Sequence, residues 1–121
     1  MDSKENQIKN LILEELEKYV INPKKKYKCQ YIAHMVYKIL QDPNENFSLQ
    51  KMQDEVVKAY KLTNRTSLNI SVDRYIKEIF DLTPTEVLKE IAHPYSAEHK
   101  PTVKEFLIHL TDKIEANINL Y

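Results

Sequence analysis

A chain of 121 residues that contains no glycine is barred from much of the usual repertoire of folds. Gly-rich phosphate loops, dinucleotide-binding fingerprints and tight Asn-Gly hairpins each need a residue without a Cβ at a fixed place. Helices need glycine least, because their C-termini can close on asparagine or end open. The composition therefore points to helices before any periodicity is counted.

The bulk properties fit a soluble globular domain over residues 1–121. That length can bury roughly 60–70% of the unfolded surface without covalent staples. Hydrophobic residues make up 42% and charged residues 30% of the chain, an ordinary balance that argues against disorder. One cysteine, Cys29, excludes an internal disulfide and fits a reducing cytoplasm. No apolar run approaches the roughly 20 residues of a membrane span, and Met1-Asp2-Ser3-Lys4-Glu5 has no signal-peptide core, so no membrane partner is expected.

Helical spacing recurs from end to end. Ile8, Leu11, Ile12, Leu16, Tyr19 and Val20 form a first stripe, opened by a capping box of Asp2 with Glu5 and closed by Asn22-Pro23. After Lys24-Lys25-Lys26, a second stripe runs through Lys28, Tyr31, Ile32, Met35, Val36, Ile39 and Leu40 to a break at Asp42-Pro43-Asn44. Ser48 caps a third helix with Leu49, Met52, Val56 and Tyr60 inward. A polar stretch from Lys61 to Asn69 follows. Ser71 then caps a fourth helix carrying Val72, Tyr75, Ile76, Ile79 and Phe80. Thr83-Pro84-Thr85-Glu86 reads as a capping box opening a short fifth helix through Val87, Leu88 and Ile91, stopped by His93-Pro94. Thr102-Val103-Lys104-Glu105 repeats the box before a last stripe of Phe106, Leu107, Leu110, Ile114 and Ile118. No segment alternates with period two over strand length. The expected fold is all-α, a single six-helix domain.

Charge is spread unevenly along this neutral chain. Residues 24–77 carry eleven of the eighteen Lys and Arg but only five of the eighteen Asp and Glu. Such a cationic face attracts anionic partners by its field. The third and fourth helices, over Leu49–Tyr60 and Ser71–Phe80, lie in or at the edge of that segment, and their polar connector gives a helix-turn-helix plan. In that plan the second helix enters the major groove and its N-terminal residues read base edges. Those residues are Ser71, Asp73, Arg74, Lys77 and Glu78. Arg74 suits a bidentate contact to guanine, and Asp73 can accept from a cytosine amino group. Lys77, Arg65, Lys61, Lys58 and Lys51 would neutralise phosphates and fix register.

The run Val72-Asp73-Arg74-Tyr75-Ile76-Lys77, followed by Lys100-Pro101-Thr102-Val103-Lys104-Glu105-Phe106, resembles the C-terminal DNA-binding domain of the stage-zero sporulation response regulator of spore-forming Firmicutes. That family reads Val-Glu-Arg-Ala-Ile-Arg in its recognition helix and Lys-Pro-Thr-x-x-Glu-Phe at the start of its last helix. Tyr31-Ile32-Ala33-His34-Met35-Val36-Tyr37 is similar to its second helix, which has a Met-Val-Tyr, so the likeness extends from about Ile8 to Ile114. The resemblance implies a six-helix fold with its helix-turn-helix at this place. It also implies sequence-specific binding to duplex DNA as a transcriptional regulator, often as tandem copies or a homodimer on adjacent sites. By position, Asp73 and Arg74 would be base readers and Lys77 a phosphate or base contact. The chain departs from the family in four ways. Ser71 stands where the family usually has arginine, the turn Lys61–Ile70 is longer, and Glu78 adds a carboxylate to the fourth helix. No phosphoacceptor receiver domain precedes the module, so control is expected from abundance or from a partner regulator protein.

The alternative reading is a protein-interaction module that keeps this fold and binds a regulator with weak or no DNA contact; Ser71, Asp73, Glu78 and the neutral overall charge favour it. Glu14, Glu15 and Glu17 on the first helix offer it an acidic face. Enzyme chemistry is not expected, because no paired carboxylates, nucleophile–base set or phosphate loop occurs at useful spacing. His34, His93, His99 and His109 lack metal-ligand spacing, so neither a metal nor a cofactor is expected. Cys29 has no activating partner in sequence and reads as a small packed residue at a helix start. Tyr19, Tyr31, Tyr60 and Tyr75 fall on apolar stripes and are expected inside. Tyr27, Tyr95 and Tyr121 have no assigned face.

Overall fold

Amphipathic spacing becomes helix at six places. The computed structural model of the protein describes residues 3–41 and 48–118. Within them lie α1 (Ser3–Leu16), a 3-10 turn (Pro23–Lys25), α2 (Lys28–Gln41), α3 (Leu49–Ala59), α4 (Arg65–Leu82), α5 (Thr85–Ile91) and α6 (Val103–Ile118), with no strand among the described residues. The all-α, six-helix expectation holds. The expected cap at Asp2, the break at Asp42-Pro43-Asn44 and Tyr121 lie outside the described residues.

One apolar core joins these helices. The second helix packs against α1, α3, α4 and α6, and α4 packs against α2, α3 and α6. Three rings from distant parts of the chain meet at its centre. Tyr19 lies 5.8 Å from Phe80 and 5.7 Å from Phe106, and the two phenylalanines are 5.9 Å apart. Buried aromatic pairs in such tilted and edge-to-face arrangements add about 0.5–1.5 kcal/mol each beyond their burial. Between α2 and α4, the buried Cys29 Sγ is hydrogen-bonded to Tyr75 Oη at 3.2 Å, which makes Cys29 the packed residue expected. Burial raises the Cys29 thiol pKa.

Two helix starts form as their residues dictate. The Lys51 amide donates to Ser48 Oγ at 3.3 Å, capping α3. At α6 the box is reciprocal: Thr102 N donates to Glu105 Oε1 at 2.9 Å, and Glu105 N to Thr102 Oγ1 at 3.1 Å.

Three boundaries differ from expectation, each for a local reason. The first helix ends at Leu16 rather than running to Asn22-Pro23. Glu14, Glu15 and Glu17 crowd its C-terminus, where carboxylates oppose the helix dipole, and no basic residue lies in its last turn. Tyr19 is buried from the segment beyond the helix, while Val20 is 44% exposed. Glu15 leaves the expected acidic face altogether: it is buried and pairs with Lys18 at 3.0 Å.

The fifth helix starts without the expected box, since Pro84 takes the cap position and supplies no side-chain bond. The Thr83 hydroxyl is engaged elsewhere, donating to the Ile79 carbonyl at 2.7 Å and accepting from Val20 N at 2.9 Å. It seals the end of α4 against the chain that follows α1.

The largest difference concerns α4, which begins at Arg65 and not at Ser71. Asn64 is its cap, with Oδ1 accepting from Ser67 N at 2.8 Å. Leu68, 3% exposed, extends the buried stripe of Val72, Tyr75 and Ile76 one turn toward the N-terminus. Ser71 is a half-buried residue inside the helix. The connector from α3 is therefore short, and the expected long turn over Lys61–Ile70 does not exist.

That connector also shows how a chain without glycine closes a helix. The Leu62 amide donates to the Val57 carbonyl at 2.9 Å and the Lys61 amide to the Lys58 carbonyl at 3.4 Å. This is a Schellman ending in which Lys61 holds the left-handed position, φ 53°, that glycine usually takes. Lys61 is the one non-glycine residue with positive φ among the described residues.

Tyr60, expected inside, is 38% exposed. Its ring lies 6.1 Å from that of His34, whose Nε2 is buried without a hydrogen-bond partner among the described residues. Burial, then Lys9 and Lys38, hold the His34 pKa below its ordinary value. A depressed pKa means the unfolded chain takes up the proton first as pH falls. Stability is therefore expected to decline as pH drops below about 6.5, and His34→Phe is expected to flatten that part of a pH series of urea denaturations. The α4 boundary gives a second test. Asn64→Ala is expected to cost about 1 kcal/mol, the loss of a cap, and Ser71→Ala less than about 0.5 kcal/mol, measured in the same way.

Candidate nucleic-acid interface

The fourth helix has 18 residues and spans about 27 Å at 1.5 Å per residue. Leu68, Val72, Tyr75, Ile76, Ile79 and Phe80 face the core. One edge meets α3: Gln53 Nε2 donates to Asn69 Oδ1 at 2.6 Å, and Arg65 Nη1 lies 3.4 Å from Asp54 Oδ2. The other edge meets the start of α2 and the turn before it, through Tyr75 with Cys29 and Glu78 with Lys25. Between these edges runs an outward stripe of Thr66, Ile70, Asp73, Arg74 and Lys77 at helical spacing. Thr66, Ile70, Arg74 and Lys77 are exposed and Asp73 is half-exposed.

The carboxylates of α4 are engaged within the protein. Asp73 Oδ2 pairs with Lys77 Nζ at 2.9 Å. Glu78 accepts from Lys25 Nζ at 2.8 Å and from Asn22 Nδ2 at 3.1 Å. These bonds, Lys25 first, hold the Glu78 pKa below its ordinary value. Glu78 thus does not dilute an outward face; it ties the Pro23–Lys25 turn to α4. Inside that turn, the Lys24 amide donates to Asn22 Oδ1 at 3.1 Å.

Cations crowd the same place. Lys28 Nζ lies 5.7 Å above the Tyr75 ring. Its pKa is lowered by burial, then by Lys25 and Arg74, against an opposing pull from Glu78. Arg74 and Lys24 are exposed there with no ion pair among the described residues. Lys51, Lys58 and Lys61 are likewise exposed and without a carboxylate partner among the described residues. Lys51 lies in the first turn of α3, and Lys58 and Lys61 flank the corner that leads to α4.

Six of the eight expected site residues therefore lie on the exposed surfaces of α3, the corner and α4, and Ser71 and Asp73 are half-buried on α4. The corrected start of α4 gives its N-terminal turns to Arg65, Thr66, Ser67 and Ile70. Of these, Thr66, Ser67 and Ile70 were missed by sequence reasoning. The available signal was Asn64 three residues before Ser67, an Asx cap pattern, together with Leu68 four residues before Val72. No group of three or more metal-ligating side chains occurs among the described residues.

Comparison with protein-family models, with curated proteins and with solved structures finds no match. The likeness to the sporulation regulator domain thus rests on the residues quoted for it. Of the departures noted, the longer turn is removed by the structure.

If Glu78 anchors the turn, Glu78→Gln is expected to speed amide exchange at Lys24, Lys25 and Lys26 with little change in the denaturation midpoint. A depressed carboxyl pKa keeps the ionised contact above it and loses it as pH falls through it. The unsubstituted protein is accordingly expected to show the same local loosening at pH values below the ordinary carboxylate range.

Proposed function

We propose that this chain is a duplex-DNA-binding transcriptional regulator that uses α3, the Lys61 corner and α4 as a helix-turn-helix. The observation that carries the reading is the state of α4's outward face: it is exposed from Thr66 to Lys77, and its acidic neighbours Asp73 and Glu78 are occupied by Lys77 and Lys25. The sequence resemblance supports the same assignment. In this arrangement Arg65, Thr66, Ser67 and Ile70 occupy the base-reading turns. The two hydroxyls suit either kind of base pair, and Ile70 suits a thymine methyl. Arg74 follows as a guanine contact. Lys51, Lys58 and Lys61 meet phosphates and set register without reading sequence, while Lys77 stays paired with Asp73.

A second reading, an interaction module that docks a partner regulator, draws on one specific feature. Ile70 is 46% exposed near the middle of that face, as an apolar anchor for a protein partner would be. The two readings part in solution. A DNA binder shows a salt-dependent mobility shift, each neutralised phosphate contributing a log–log slope of about −0.9. Lys51→Ala, Lys58→Ala and Lys61→Ala are each expected to reduce the slope by about 1 for all duplexes. Arg74→Ala is expected to cost about 1–3 kcal/mol on a selected site and to relax preference at one base pair. Absence of a shift with any duplex at low ionic strength sinks the DNA reading, and recovery of a regulator in a nuclease-treated pull-down then favours the second.

A further inference from the structure

Tyr27 had no assigned face in the sequence, and the structure leaves it 56% exposed. An aromatic ring so open contributes little to the core, yet it does not stand alone. Its centroid lies 6.0 Å from Tyr31, and Tyr31 lies 5.0 Å from Tyr60, with ring planes turned by 78° and 68° at the two steps. Tyr60 is also exposed, at 38%. Two open rings are thus joined through a third across the start of α2 and the end of α3.

Lysines border both ends. Tyr27 stands between Lys26 and Lys28, and Tyr60 precedes Lys61 two residues after Lys58. Among the described residues, Glu17 pairs with Lys26 at 3.8 Å, Glu5 acts on Tyr60, and Glu55 acts on the neighbouring His34. Burial, followed by Tyr31 and Glu5, raises the Tyr60 phenol pKa, and burial raises that of Tyr31, so both rings stay neutral.

Open neutral rings edged by cations suit a polyanion that can present flat apolar surfaces. Bases in a duplex are already stacked on one another and gain little from a protein ring, whereas unpaired bases gain a stacking partner. We infer that Tyr27, Tyr31 and Tyr60 form a stacking platform for the unpaired bases of single-stranded nucleic acid, with Lys26, Lys58 and Lys61 drawing in its phosphates. This surface shares Lys58 and Lys61 with the proposed duplex face, but its rings lie off the outward stripe of α4 and do not require that stripe to bind duplex.

The test uses the full chain and fluorescence anisotropy with three labelled probes: a short oligo(dT), an abasic oligomer of equal length and charge, and a duplex. Oligo(dT) is expected to bind about tenfold more tightly than the abasic oligomer, the effect of roughly one base–ring stack. Tyr27→Ala, at an exposed position, is expected to remove about that factor for oligo(dT) while leaving the abasic oligomer unchanged. Tyr27→Phe is expected to keep it, because the ring and not the hydroxyl does the stacking. Tyr60→Ala repeats the test from the other end of the platform. Equal affinity for oligo(dT) and the abasic oligomer, or indifference of oligo(dT) binding to Tyr27→Ala, overturns the inference. Binding of duplex without oligo(dT) overturns it and leaves the proposed duplex function standing. Failure of all three probes overturns both.

Discussion

Three aromatic rings hold the molecule in register. Tyr19 comes from the chain after α1, Phe80 from the end of α4 and Phe106 from the start of α6, and each touches the other two at 5.7–5.9 Å. The Thr83 hydroxyl bonds the same neighbourhood, linking the Ile79 carbonyl to the Val20 amide. The C-terminal half of α4 is thereby fixed to elements distant in sequence. Its first turns are held by α3, through Gln53 with Asn69. A helix anchored at its far end and braced along one edge presents its remaining stripe as a rigid surface. The outward position of Thr66, Ile70 and Arg74 depends on that anchorage.

The electrostatics follow the same logic of placement. The segment rich in Lys and Arg is not a uniform positive cloud. Lys25 and Lys77 are spent on carboxylates of α4, and Arg65 faces Asp54 at a length and exposure where an ion pair contributes little. Of the cations left over, Lys38 sits in the last turn of α2 and the others at the start of α3, at the α3–α4 corner, in the Pro23–Lys25 turn and beside Tyr75. Opposite charges that look like interference in sequence, Glu78 above all, act as fixings that bring the Pro23–Lys25 turn to the side of α4.

Much of this was legible in the sequence, and each part that was not has its own local cause. Ser48 and the Thr102–Glu105 pair announced their helices because each cap stands directly before an apolar stripe. The start of α4 was hidden because its first turn shows a single apolar residue, Leu68, among Thr66, Ser67 and Asn69. Local polarity masked a cap that only the register of Leu68 with Val72 reveals. The end of α1 was misplaced because Tyr19 keeps the helical spacing of Leu16 yet reaches the core from irregular chain. Thr83 carried a capping signature, but tertiary partners claimed its hydroxyl. Tyr60 kept the stripe of α3 at the residue where the helix is already closing, so its ring turns toward Tyr31 and solvent. Of the candidate site, the lysines and Arg74 were found from charge and spacing alone. Thr66, Ser67 and Ile70 depended on the helix boundary and were lost with it.

The left-handed Lys61 has a meaning beyond the turn it makes. A side chain in that conformation costs roughly 1–2 kcal/mol relative to its right-handed form, and elsewhere in proteins glycine removes the cost. In this chain the strained residue is also an unpaired cation at the corner between α3 and α4. Backbone shape and surface potential are therefore set by one side chain and cannot drift separately. A glycine there would relax the corner and erase a unit of charge from the face beside it. An acidic residue would keep the strain and reverse the field. The corner is a point where the protein's folding stability and its attraction for anions are bound to the same position in the chain.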